Sequence, residues 1–111
     1  AKDNGFTAIM SASYNGFPDI LAMLLRNASH ADLHAIDSNG FSPLALACRM
    51  GHAIIVKLLI EARASLEQRN DKDDGALPLT IASFLGNEPC VLELLHAGAS
   101  PNATKYNGFS A

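Results

Sequence analysis

Tryptophan is absent from the 111-residue chain, cysteine occurs only twice, and charged residues make up 17%. Two cysteines, Cys48 and Cys90, are too few for the dense disulfide framework of a small secreted domain. Both stand in apolar helical patterns, where a free thiol behaves as a small hydrophobe. The expected setting is therefore reducing and intracellular, the cytoplasm ahead of the nucleus. Basic residues are scarce too: the net charge is −3, whereas a nucleic-acid binder shows a basic patch, so no nucleic-acid partner is expected. No apolar run approaches the roughly 18 residues of a membrane span. The longest, AIIVKLLIEA at 53–62, is broken by Lys57 and Glu61. The N-terminus lacks a signal-peptide pattern, and no membrane partner is expected. Apolar residues are plentiful, at 49%. They suffice for the core of one domain over residues 1–111.

The triplet NGF occurs four times, at 4–6, 15–17, 39–41 and 107–109. Gly5, Gly40, Gly75 and Gly108 are spaced 35, 35 and 33 residues apart. The copy at 15–17 belongs to a second ladder, Gly16, Gly51 and Gly86, spaced 35 and 35. Two interleaved glycine ladders of one period mark an internal repeat. The units fall at 2–36, 37–71 and 72–104, with a partial unit at 105–111. A period of this length means stacked supersecondary units, each unable to bury its apolar face alone. An ordinary six-helix bundle would not need the constant period.

Each unit reads as turn, short helix, turn, longer helix, loop. Thr7 and Ser42 fit the N-cap of the first helix, with Pro43 at its first position. Leu77 occupies the cap slot of the third unit, where loss of the cap bond costs about 1 kcal/mol. Gly16, Gly51 and Gly86 end the first helices. The second helices carry apolar residues three and four apart: Ile20, Met23, Leu24; Ile55, Leu58, Leu59; Val91, Leu94, Leu95. Pro18 and Pro89 fall in their first turns, where a missing N–H is tolerated. The reading is all-α.

The segments DSNGFSPLALA and GHAIIVKLLIEARA, with LLHAGASPNA closing the third unit, resemble the ankyrin repeat, whose landmarks are T-P-L-H-x-A and a later G-H before an apolar helix. The resemblance covers essentially the whole chain. It implies a solenoid of stacked helix-turn-helix units joined by β-hairpin-like loops. It also implies a protein-interaction module with no catalytic residues and no cofactor.

The chain departs from the family pattern at several points. Met10, Ala45 and Thr80 replace the signature histidine. Units one and two are each two residues longer than 33, the first excess falling in RNASHADLHA and the second in the acidic tip NDKDDG. Arg63 replaces the glycine that ends the second helix, where a left-handed conformation would strain a non-glycine residue. The terminal units show the interior apolar pattern rather than a polar outer face. That leads to the expectation that the array continues or that its caps are missing. A monomer is expected, with end-to-end stacking of copies left open.

Residues suited to chemistry are few. His30 and His34 have the i, i+4 spacing of a metal pair, but they fall in an expected loop without a third strong ligand, and read as solvated. His52 is the landmark histidine, with a structural role, and His96 carries no signal. No nucleophile elbow or phosphate-cradling glycine loop is present. Asp71, Asp73 and Asp74 read as a solvated hairpin tip rather than a calcium loop. No metal or cofactor is expected. By the resemblance, Asn102 stands at the hairpin asparagine that cellular hydroxylases modify in some relatives, although Pro101 precedes it.

In the implied fold the concave face is built from hairpin tips and the outward side of the first helices. The hairpins place Phe6, Ser38, Asn39, Phe41, Asp73, Asp74, Tyr106, Asn107 and Phe109 there. The first helices place Tyr14, Asn15, Arg49, Met50, Phe84 and Leu85 there. Six of the seven aromatics fall on these positions, Phe17 being the exception. A phenylalanine after the turn glycine can hold a hairpin against its helix. The row of Tyr14, Met50, Phe84 and Leu85 has instead the composition of an interaction hot spot, or packs against a neighbouring segment. The expected ligand is a protein or peptide, with a basic segment suiting Asp73 and Asp74. The array would serve as a non-catalytic recognition module that binds this partner on its concave face. The alternative is a targeting or substrate-recruiting segment of a larger effector enzyme, kinase or channel.

Overall fold

The computed structural model describes residues 7–70 and 75–100. The first helices of successive units are α1 (Ala8–Asn15), α4 (Pro43–Met50) and α6 (Pro78–Leu85). The second helices are α2 (Pro18–Leu25), α5 (Ala53–Glu61) and α7 (Glu88–His96). A short helix, α3 (His30–His34), lies between the first pair and the second. Among the described residues there is no strand, only one antiparallel bridge between Asn70 and Ala76. No described helix is long and apolar enough to cross a membrane.

Local signals start and stop these helices. Met10 N–H donates to Thr7 Oγ1 and Ala45 N–H to Ser42 Oγ, each at 3.2 Å. Leu77 makes no such bond, and Pro78 begins α6 on its fixed φ alone. Gly16, Gly51 and Gly86 then turn the chain left-handed, with φ of 77°, 80° and 76°. The following N–H groups of Phe17, His52 and Asn87 reach back to Ala12, Ala47 and Ala82 O, closing each helix end in the same way.

The pairs stack α1 on α4 on α6 and α2 on α5 on α7. Ala12, Ala47 and Ala82 occupy one register of the first helices and are all buried. A small side chain there lets neighbouring helices approach closely. Leu21, Val56, Leu59 and Leu94 fill the core from the second helices. Stacking is pinned by a repeated polar bond. His52 Nε2 lies 3.0 Å from Tyr14 O, and one unit on, Asn87 Nδ2 donates to Cys48 O at 2.7 Å. A Cβ on Gly16 would stand 2.7 Å from the His52 ring, so that glycine serves a close approach as well as a turn.

Two expectations are corrected. Ile20 and Met23 are exposed, and Leu21 faces the core instead. Ile20 shares a register with Ile55 and Cys90, both buried; α5 and α7 each follow another second helix, whereas none precedes α2 among the described residues. Leu95, counted with the apolar face of α7, is also exposed. The second correction concerns HADLH, read as a loop. Ser29 and Asp32 form a reciprocal capping box, with Ser29 N–H donating to Asp32 Oδ2 and Asp32 N–H to Ser29 Oγ, and Leu33 is buried. His34 is not a solvated residue. Ser65 N–H donates to its Nε2 at 3.0 Å, while its Nδ1 lies 2.8 Å from His30 O. An N–H donor on one side and a carbonyl on the other require the neutral ring with its proton on Nδ1.

Candidate functional site

The hairpin preceding α4 is tied by one carboxylate. Asp37 Oδ1 accepts from the N–H groups of Asn39 and Phe41 at 2.9 Å, and Asp37 N–H donates to Phe41 O. Asp37 is buried, leaving Ser38 and Asn39 exposed at the tip. Sequence reasoning missed this residue, although an aspartate opening a D-S-N-G turn is its signal. In the next unit Asn70 takes the same place, pairing with Ala76 and accepting from Gly75 N–H. Asn70 and Ala76 are six residues apart where Asp37 and Phe41 are four apart, so the two extra residues lie between them.

The last turns of the first helices project outward in two rows. Tyr14, Arg49 and Phe84 share one register; Asn15, Met50 and Leu85 share the next. All six are exposed, Phe84 to 88%. The equal Gly caps dictate this, because each helix presents the same final face to solvent.

Four of the expected residues come together. The Arg49 guanidinium lies over the Phe41 ring, 5.1 Å from its centroid, a cation–π distance. Phe41 and Arg49 form one wall of a groove of about 270 Å³, Phe84 and Leu85 line it from α6, and Ala76, Thr80 and Ile81 complete it. Thr80, Ile81 and Ala76 were not foreseen as groove residues. The signal for Thr80 was its place in the first-helix signature, one turn before Phe84.

The other expected residues lie apart. Tyr14 and Met50 extend the exposed rows without lining the groove. Asn15 spends its amide on Ser11 O at 2.9 Å. Ser38 and Asn39 stand at the hairpin tip. Phe6, Asp73, Asp74, Tyr106, Asn107, Phe109 and Asn102 lie outside the described residues.

Among the described residues the lining holds an arginine and a threonine as its only hydroxyl or charged side chains, and these two make no acid–base pair. Among the described residues no group of three His, Cys, Asp or Glu side chains could hold a metal ion. Both ring nitrogens of His34 are already engaged, so the 30/34 pair is not a ready chelate. Cys48 and Cys90 are free and buried. Burial pushes both thiols up, helped at Cys48 by Cys90 and at Cys90 by Glu93, which removes the thiolate character that reactivity needs.

Residues 9–105 match the family model for ankyrin repeats, in three copies. No curated protein matches the chain.

Proposed function

The chain belongs to the ankyrin-repeat family, whose members are generally protein–protein interaction modules, and from that premise we propose that it recognises a polypeptide partner on the groove between α4 and α6. The observation that carries this reading is the exposure of Phe84, at 88%, beside a groove lined by further apolar side chains. Covering Phe84 would contribute about 1.5–3 kcal/mol, and covering the half-exposed Leu85 about half as much. Large aromatic and arginine side chains at the centre of a patch have the character of binding hot spots. Tyr14 and Met50 would extend the contact along the rows, with Ser38 and Asn39 at its rim. The same face would serve a free-standing adaptor and a recruiting segment of a larger polypeptide alike. No catalytic step is assigned to it.

The test compares three baits in capture from cell lysate: the chain, a Phe84→Ala/Leu85→Ala variant and an Ile54→Ala variant. Ile54 is 66% exposed on α5, away from the groove lining, so all three should fold alike. A partner held by the first and third baits and lost by the second is the expected outcome. A partner retained by the groove variant would move recognition elsewhere, and the rows would then be packing surfaces.

A further inference from the structure

We infer that the groove selects a peptide segment in which a bulky apolar residue stands within two residues of an Asp or Glu, the carboxylate pairing with Arg49. This rests on the reading of the groove as the recognition face. Among the described residues Arg49 is the only ionisable side chain in the lining, and its guanidinium rests on the Phe41 ring. A segment laid against Phe84 and Leu85 would strip water from that guanidinium. An arginine cannot shed its proton to escape the penalty, and a buried charge left without an acceptor is strongly unfavourable. An effective ligand therefore brings its own acceptor. A carboxylate meets the planar fork with two parallel bonds and opposite charge, which a single backbone carbonyl does not. Stacking on Phe41 holds the fork at the groove wall before the ligand arrives.

A plainer role for Arg49 is to complement the C-terminal end of α4, where a cation is favoured. The stack argues against that as its main purpose. Tyr14 and Phe84 hold the same position on α1 and α6, which end in the same glycine geometry without a cation. The requirement for charge is local to the groove.

The test pans a display library of random 12-residue peptides against the full chain and against Arg49→Glu, Arg49→Lys and Phe84→Ala variants. The full chain should enrich Phe, Leu, Ile, Met, Tyr or Trp within two residues of Asp or Glu. Arg49→Glu should replace the acidic preference with Lys or Arg. A fluorescein-labelled synthetic copy of the most enriched acidic peptide should lose at least about tenfold in affinity for Arg49→Glu. It should lose less for Arg49→Lys, which keeps the charge without the fork. Apolar peptides without an acid, or the same peptides selected by Arg49→Glu, would overturn the inference while leaving the groove as the recognition face. Peptides indifferent to Phe84→Ala, or no enrichment at all, would overturn the groove reading and the inference with it.

Discussion

Arg63 is the one non-glycine residue with a positive φ among the described residues, at 77°. Its N–H reaches Ile60 O, and Ala64 N–H reaches Leu59 O. One unit later the N–H groups of Gly98 and Ala99 make the same pair of bonds, to Leu95 O and Leu94 O, with Gly98 at φ of 103°. The turn is therefore dictated by the helix end and not by the residue that occupies it. A left-handed conformation costs a residue with a Cβ about 1–2 kcal/mol. Glycine there gives back about 0.5–1 kcal/mol through greater freedom of the unfolded chain. The difference favours glycine, because the exposed Arg63 side chain adds no packing to set against it. Arg63→Gly should stabilise the chain by about 0.5–1 kcal/mol and raise Tm by about 2–5 °C. Calorimetry decides it: an unchanged or lower Tm would mean that the arginine holds a contact that outweighs the strain.

Helix α6 sets a cap against a core side chain. Ser42 caps α4, and the same position before α6 is Leu77, which forms no cap bond. Installing a serine would gain about 1 kcal/mol of capping. Leu77, however, is only 2% exposed, and removing a buried leucine side chain costs about 2–5 kcal/mol. Burial wins, so Leu77→Ser should lower stability by at least about 1 kcal/mol. Urea unfolding would show the midpoint fall; a rise would make the missing cap the larger defect. The first helices were legible because each boundary is local: a Thr, Ser or Pro opens it, and a glycine closes it; the second helices were legible from their apolar spacing. Helix α3 was not read, although Ser29 and Asp32 carry a capping signature. Five residues with a single large apolar side chain, Leu33, show no period. Their helix depends partly on His34 meeting Ser65 thirty-one residues away, which no local window contains. The site divides the same way. The exposed rows followed from register, whereas the groove required α6 to sit against α4 and the hairpin.

Across the whole stack, stability is carried by nearest neighbours, and the cysteines sample it at two depths. Cys48 lies on α4, which packs against α1, α5 and α6. Cys90 lies on α7, which packs against α5 and α6 and has no later described helix beyond it. Opening the α6–α7 pair breaks one described interface between units, and opening the α4–α5 pair breaks two. Neither thiol is reactive while buried, so labelling reports opening. Cys90 should therefore be modified several times faster than Cys48 under native conditions, and the two rates should converge as urea makes global unfolding the dominant route. Alkaline pH should speed both. Burial raises the folded thiols above the unfolded chain's ordinary value of about 8.5, so this contribution is fully present below that value. Above it the unfolded chain releases protons that the folded chain retains, and stability falls as pH rises toward the folded values. Peptide mapping after timed modification gives the two rates separately. Equal rates without denaturant would show instead that the three helix pairs open as one body, joined by the His52 and Asn87 bonds between units too tightly for the α6–α7 pair to leave alone.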